Sequence, residues 1–261
     1  GIWFNHLRSK MESFDFSNKK ILIAGVGGIG SAVVSLLASL NAELYLLDID
    51  VDKCNKLTLD YKNVKGYLGC DFSNVNGIEI KIDEIIAQAG PLDGFVFCSG
   101  ITASRPFKMA KYDAMLNVMN INFFSFVEIV RCITKKKNYN IGMSIVGLSS
   151  VGAILGNPSQ TAYCASKAAM NGAVRSIAKE LAPKGIRINT IAPGTTDTPM
   201  FRAAEKDFGK DSNAFNERLG RQYLGLCQPE DIANSVAFLL SGMSRMITGS
   251  CLGVDGGKLT S

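Results

Sequence analysis

Histidine is almost missing from this chain: among 261 residues only His6 occurs, close to the N-terminus. Zinc sites built on imidazole and Ser-His-Asp triads both need a positioned ring, so zinc alcohol dehydrogenase, metalloprotease and triad-hydrolase chemistry are set aside. The seven cysteines, Cys54, Cys70, Cys98, Cys132, Cys164, Cys227 and Cys251, are odd in number and include no CxxC pair. That pattern suits reduced thiols packed as small side chains in a cytoplasmic setting, and argues against a disulfide scaffold. Charge of one sign is also scarce: 28 basic against 23 acidic residues leave +5, spread along the chain, with Lys135 to Lys137 the only basic run. A nucleic-acid surface would show a denser stripe with interleaved aromatics, so no nucleic-acid partner is expected. Two stretches lack charge over the length a bilayer requires, Ile21 to Ala42 and Ile141 to Ser166. Gly25, Gly27, Gly28 and Gly30 break the first, and Ser149, Ser150, Asn157, Pro158 and Gln160 interrupt the second, so no membrane span is expected from either.

What is present is a 47% apolar composition without linkers or fixed-length repeats. A chain of this size buries roughly 70–75% of its unfolded surface, which favours one domain. That domain is read as residues 11–261. Gly1 to Lys10 precede Met11 and lack the apolar core of a signal peptide, so they are taken as an extension or an appended remnant.

Short β-branched or apolar runs alternate with longer helical patterns. The runs are Lys20–Ala24, Glu43–Leu47, Val64–Cys70, Gly94–Cys98, Ile141–Leu148, Ile186–Ile191 and, more weakly, Ser250–Val254. Helical segments include Ser31–Ser39, Ile82–Ala89, Tyr112–Ile133, Ala162–Leu181 and Pro229–Leu240. Strands separated by helices pair in parallel, because each crossover needs a dozen residues or more, and such sheets are covered on both faces. The expected fold is α/β, a Rossmann-type doubly wound sheet of about seven parallel strands with helices on both faces. The charged stretch Met200 to Leu224 breaks the alternation and is either a lid over a site or a surface excursion.

Directly after the first run comes Gly25-Val26-Gly27-Gly28-Ile29-Gly30, a GxGxxG turn between strand and helix. In that context Gly25 permits the tight turn, Gly27 lets backbone approach a pyrophosphate, and Gly30 lets the helix pack on the strand, with Gly28 and Ile29 opening the helix towards the anion. The second run leads to Asp48, 18 residues past Gly30, where a carboxylate accepts ribose hydroxyls and repels a 2′-phosphate. NAD is therefore expected over NADP. Asp71, after the third run, either meets the adenine edge or caps a helix.

Tyr163-Cys164-Ala165-Ser166-Lys167 opens a helix, so the phenol and the ammonium lie on one face, a turn apart. A free phenol is a poor base at neutral pH, but a neighbouring cation favours its phenolate. The pair can do acid and base work without histidine. Ser150, at the carboxyl end of the fifth run, sits at the edge where open parallel sheets bind ligands and can donate to a substrate oxygen. Ser149 is its neighbour, which strand alternation turns to the other face.

These residues resemble the short-chain dehydrogenase/reductase family, over nearly the whole chain from Lys20 to Lys258. Asn122, in Ile121-Asn122-Phe123-Phe124-Ser125, is similar to the family's helix asparagine; Asn120 competes, and Asn122 is preferred because Ser125 then falls where the family carries a small residue. Pro193-Gly194-Thr195-Thr196-Asp197-Thr198-Pro199-Met200 resembles the family's PG segment, in which Thr198 would contact the nicotinamide carboxamide. Val254-Asp255-Gly256-Gly257 is similar to its C-terminal signature. Two features depart from the pattern. The glycine turn is one residue shorter than TGxxxGxG and looks more like the insect-type alcohol dehydrogenase variant. Phe97-Cys98-Ser99-Gly100 replaces the usual Asn-Asn-Ala-Gly, which puts the adenosine-side hydrogen bonds near Cys98 in question while Gly100 keeps a close backbone approach.

The resemblance implies an NAD(H)-dependent oxidoreductase interconverting a secondary alcohol and a ketone. Tyr163 would exchange the proton, Lys167 would hold the nicotinamide ribose, Ser150 would fix the substrate oxygen and Asn122 would support a water relay. The dinucleotide would meet the glycine turn, Asp48, Asp71, Cys98, Gly100, Tyr163, Lys167, Pro193, Gly194 and Thr198. Family members of this kind form homodimers or homotetramers. A 3-oxoacyl-[acyl-carrier-protein] reductase-like enzyme is the first alternative, ordinarily NADPH-linked, and a non-catalytic dinucleotide-binding sensor is the second. A nucleotide-sugar epimerase or dehydratase is disfavoured, because such relatives carry a larger C-terminal substrate domain. The lid stretch combines Phe201, Phe208, Phe215 and Tyr223 with Arg202, Lys206, Lys210, Arg218 and Arg221, a mixture that suits several substrates.

Overall fold

The computed structural model describes residues 14–208 and 220–260, the side chains of 204–208 aside. His6, the segment Gly1 to Lys10 with Met11, and the lid side chains of Lys206, Phe208, Lys210, Phe215 and Arg218 therefore lie outside the described residues.

Seven strands form one sheet: β1 (Lys20–Ala24), β2 (Glu43–Asp48), β3 (Val64–Gly69), β4 (Leu92–Phe97), β5 (Tyr139–Leu148), β6 (Arg187–Pro193) and β7 (Cys251–Val254). All pairings are parallel, in the order β3-β2-β1-β4-β5-β6-β7. The order reverses between β1 and β4, the position at which doubly wound sheets open a crevice beyond their carboxyl ends. The helices are α1 (Gly28–Ser39), α2 (Val51–Asp60), α3 (Ile78–Ala89), α4 (Tyr112–Ile133), the short α5 (Gly152–Leu155), α6 (Thr161–Leu181), α7 (Pro199–Phe208) and α8 (Pro229–Leu240).

Consecutive residues of β1 show why both sheet faces are apolar. Leu22 and Ala24 join Phe95, Phe97, Phe126 and Met170 on the face covered by α3, α4 and α6. Ile21 and Ile23 join Val33, Val34, Val96, Val146 and Ile232 on the face covered by α1 and α8. Burying one such side chain contributes about 1.5–3 kcal/mol, so the strands read as continuous apolar runs because each residue has a core to enter. Helix α4 has the length and apolarity of a membrane span. Its Phe126, Ile129, Val130 and Ile133 are buried against the sheet.

Several expected boundaries shift. The first helix starts at Gly28 and not Ser31, because the glycine turn is itself the first helical turn. Strand β3 ends at Gly69 rather than Cys70, whose amide has already turned to the Asp48 carbonyl. Strand β4 starts at Leu92, two residues before the expected Gly94, and stops at Phe97 before Cys98; Asp93 is tolerated at the strand's entry because its Oδ2 accepts the Lys20 N–H at 3.0 Å. Strand β6 runs on to Pro193, which closes the strand against Val254. The pattern at Tyr112–Ile133 is no regular helix: a π turn at Asn120–Phe124 inserts an extra residue, and the Ser125 hydroxyl donates to the Ile121 carbonyl at 2.8 Å. The start of the presumed lid is helix α7, opened by Thr198, whose Oγ1 accepts the Phe201 N–H at 3.2 Å.

Candidate active site

At the carboxyl end of β1 the chain folds back on itself at Gly25, with φ at +90°. A Cβ there would stand 2.4 Å from the Ser99 nitrogen, and one at Gly30 would stand 2.0 Å from the Gly25 carbonyl oxygen. Both positions are glycine because backbone occupies the space. Gly27 differs, since a Cβ on it would meet nothing within 4 Å. It faces open space at the start of α1, whose first turn has no side-chain cap. Uncapped amides at a helix N-terminus beside an open glycine fit a pyrophosphate. Gly28 lies against Thr198, whose Cβ would be 3.1 Å from an added side-chain carbon. That contact sets the PG segment against the glycine turn.

Asp48 closes the turn from the β2 side. Its Oδ2 accepts the Val26 N–H at 2.6 Å and its Oδ1 accepts the Asp50 N–H at 2.9 Å. The carboxylate thus stands beside the glycine turn. Asp71 makes an Asx turn, accepting from the Ser73 N–H at 2.9 Å and the Ser73 hydroxyl at 2.7 Å, and neither it nor Asp48 lines the crevice formed at Ser150 and Tyr163.

That crevice, about 210 Å³, is lined by Ser150, Tyr163 and Lys167 together with Ile29, Cys98, Gly100, Pro193, Gly194 and Thr198. Helix α6 contributes Tyr163 and Lys167. The Lys167 ammonium is 5.8 Å from the Tyr163 ring centroid and donates to the Leu148 carbonyl at 2.7 Å. Ser149 also lines the crevice and donates to the Lys167 carbonyl at 3.3 Å, while Ser150 Oγ accepts the Gly152 N–H at 3.0 Å; both serines lie past Leu148, the last residue of β5, so the expected strand alternation does not send them to opposite faces. The π turn in α4 buries Asn122 completely. Its Oδ1 accepts the Ile101 N–H at 2.9 Å, and its Nδ2 donates to the Ile101 carbonyl and to Ser166 Oγ, both at 3.0 Å. Ser166 in turn donates to the Tyr163 carbonyl at 2.7 Å. Asn120 instead reaches towards the Ser73 carbonyl at 3.4 Å. The space at Gly100 belongs to these side chains, for a Cβ there would be 3.2 Å from Lys167 Nζ and 3.4 Å from Asn122 Oδ1.

Burial lowers the Lys167 ammonium from its ordinary 10.5 to about 8, with the Cys98 thiol pulling weakly the other way. Desolvation likewise pushes Cys98 up to about 12, so this thiol is an inert wall and not a nucleophile. A lysine at about 8 keeps its charge at neutral pH, beside the Tyr163 ring. The unfolded chain holds the Lys167 proton up to 10.5 while the folded one releases it at about 8, so the burial cost, full below about 8, fades as pH rises between the two. The melting temperature of the wild type relative to Lys167→Met is accordingly expected to rise from pH 8 to 10.5. A flat difference would put that ammonium in contact with solvent.

Three polar residues of this region escaped sequence reasoning. Gln222 is buried and clamps the PG segment, accepting the Thr195 N–H at 2.8 Å and donating to the Thr195 carbonyl at 3.0 Å. Thr195 and Lys258 both line the crevice. Only the adjacency of Lys258 to the Val254-Asp255-Gly256-Gly257 signature hinted at it.

A family model described as enoyl-(acyl carrier protein) reductase matches residues 23–258. A protein named 3-oxoacyl-[acyl-carrier-protein] reductase FabG, from Rickettsia bellii, is 33% identical over 246 residues, or 94% of this chain and 98% of the relative. A protein of the same name from Thermotoga maritima is 34% identical over 248 residues, or 92% and 97%. Among solved structures, a dehydrogenase/reductase from Sinorhizobium meliloti 1021 superposes with a TM-score of 0.86 at 28% identity, covering 96% of this chain and 99% of that one. A short-chain dehydrogenase/reductase from Brucella melitensis, described as glucose/ribitol dehydrogenase, gives 0.85 at 27% identity, covering 94% and 98%. Since the family model, these relatives and the sheet order agree along almost the full length, the chain belongs to the short-chain dehydrogenase/reductase family of oxidoreductases.

Proposed function

We propose that this protein interconverts a ketone and a secondary alcohol with NAD(H), using Tyr163 as general acid and base. The observation that carries the reading is the desolvated Lys167 ammonium set beneath the Tyr163 ring in a crevice that Ser150 also lines. The cradle at Gly27, the first turn of α1, Asp48 and the Thr198 segment would hold the dinucleotide, and when bound it supplies the hydride exchange that no side chain here can perform. Tyr163 takes the hydroxyl proton in oxidation and returns it to the nascent alkoxide in reduction. Lys167 stabilises the phenolate, and its neighbour Gly100 leaves room for it. Ser150 donates to the substrate oxygen and orients it towards the phenol. Asn122 ties the 101 backbone to α6 through Ser166, which keeps the tyrosine turn in register with the strand ends.

The Asp48 carboxylate supports NAD over NADP, because a 2′-phosphate would stand beside it at close range. Reduction of a ketone panel with NADH and NADPH side by side tests the reading. The wild type is expected to favour NADH, and Asp48→Asn, which retains an acceptor for the Val26 N–H, is expected to move the kcat/KM ratio towards NADPH by ~10-fold or more. No ketone turnover with either cofactor would remove the enzyme assignment, and a wild type that prefers NADPH would remove the role of Asp48.

Reduction of a 3-oxoacyl thioester is the second reading, favoured by the name and identity of the Rickettsia bellii and Thermotoga maritima relatives. A cytoplasmic setting is supported by seven cysteines that are all free. A homodimer or homotetramer is supported by the family's habit and by exposed Tyr112, Leu116 and Phe124 on α4. Elution of the purified protein as a monomer would remove that part.

A further inference from the structure

Sheet order sets two different walls around Ser150. Strand β5, which leads to Ser150, lies between β4 and β6. On the β6 side the crevice is lined by Met200 and Phe201 of α7, an apolar wall. On the β4 side it is lined by Ser104, from the loop between β4 and α4, with Asn157 and Gln160, from the segment before α6. These three side chains are linked by hydrogen bonds: Asn157 Nδ2 donates to Gln160 Oε1 at 3.0 Å, and Gln160 Nε2 donates to Ser104 Oγ at 3.4 Å. The chain runs in one direction, so it ends in the Ser104 O–H as a donor and in Asn157 Oδ1 as an acceptor. A Cβ on Gly152 would lie 2.8 Å from Asn157 Nδ2 and 3.3 Å from Ser150 Oγ, which makes the amide a near neighbour of the hydroxyl assigned to the reacting oxygen.

Joining the two loops does not require these side chains, because the Arg105 N–H already bonds the Ser159 carbonyl at 2.7 Å. The backbone also takes unfavourable turns beside them: Ala103, next to Ser104, has φ at +42°, and Ser159, next to Gln160, has φ at +63°, values that residues other than glycine rarely adopt. Strain of this kind collects where a ligand is held. A donor and an acceptor together match a hydroxyl, which gives one hydrogen bond and takes another, whereas a carbonyl can only accept. We infer that Ser104, Gln160 and Asn157 form a subsite for a hydroxyl on the carbon next to the reacting carbonyl, so that the substrate is an α-hydroxy ketone and its product a vicinal diol. The ketone carbon gains a hydride from NADH, which leaves as NAD, and the ketone oxygen gains the Tyr163 proton, while the neighbouring hydroxyl is unchanged. The apolar wall takes the other substituent. The inference rests on the ketone–alcohol reading above, and it sets that reading apart from a 3-oxoacyl thioester, whose second oxygen is a carbonyl.

The test compares acetoin with butan-2-one, which share a ketone and a carbon skeleton and differ by the hydroxyl. The wild type is expected to favour acetoin in kcat/KM by ~10-fold or more, and in Gln160→Met and in Ser104→Ala that ratio is expected to fall ~10-fold, the worth of about one hydrogen bond. Ser104→Thr, which keeps a hydroxyl, is expected to retain most of the ratio. A purely structural chain of side chains would lower both ketones together, so an unchanged ratio in both variants overturns the subsite, as does a wild type without preference for acetoin. If the wild type reduces neither ketone with NADH or NADPH, the ketone–alcohol reading fails separately. The subsite is then read by saturation-transfer NMR of butane-2,3-diol with the wild type and Gln160→Met: a signal lost in the variant supports it, and an equal or absent signal overturns it.

Discussion

Tyr163→Phe is expected to lower kcat by ~10²- to 10⁴-fold, the usual worth of a positioned acid and base, while NADH affinity stays within a factor of ~3. The substitution isolates one atom. A phenylalanine ring keeps the face above the Lys167 ammonium, and the Lys167 bond to the Leu148 carbonyl does not involve the phenol. The tyrosine backbone is held independently through Ser166 and Asn122. Stability should therefore change little, by less than about 1 kcal/mol, leaving lost proton exchange as the source of the lost rate. Steady-state rates with a reducible ketone and a fluorescence titration of NADH measure the two quantities. Turnover near the wild-type level would mean that another group handles the proton and that the Tyr163–Lys167 pair is structural.

Much of this arrangement could be read from the sequence because it depends on local spacing. A spacing of four residues puts Tyr163 and Lys167 on one face of α6, and Ser150 follows directly on the carboxyl end of β5, whereas the separation of Ser149 from Ser150 by strand alternation fails because the strand stops at Leu148. The strands were legible for a different reason: residues such as Ile21 and Leu22 both find a core, so each run is apolar throughout. Helix α2 escaped notice because only Cys54 and Leu57 are buried on it, and its other apolar residues, Val51 and Leu59, are exposed among polar ones. The π turn was hidden because periodicity reports a helix and not one extra residue within it, although that residue is what carries Asn122 inward. Lys258 and Gln222 were hidden more deeply. Their positions follow from segments 27 and 63 residues distant meeting at Thr195, a packing outcome with no local signature.

The glycine turn yields the second large effect, and it separates two roles that one motif conceals. Gly30→Ala places a methyl 2.0 Å from the Gly25 carbonyl oxygen, a backbone atom that cannot move without displacing β1 from β4. The displacement must either open the strand pairing or push α1 off the sheet, where Val33 and Val34 are fully buried. Strain of this kind reaches the upper range of single substitutions, ~3–5 kcal/mol, so a lowered melting temperature or insoluble protein is expected. Gly27→Ala should behave in the opposite way. Its methyl meets nothing within 4 Å, its φ of −61° suits an L-residue, and the folded protein should melt within a few degrees of the wild type. The open space it fills is the approach to the uncapped amides of α1, so NADH binding is expected to weaken ~10-fold or more from steric exclusion alone. Thermal melts and NADH titrations on both variants make the comparison. If Gly27→Ala bound NADH as tightly as the wild type, the pyrophosphate would have to lie elsewhere and the cofactor site would need to be redrawn. Undiminished stability in Gly30→Ala would instead contradict the backbone contact from which the turn is built.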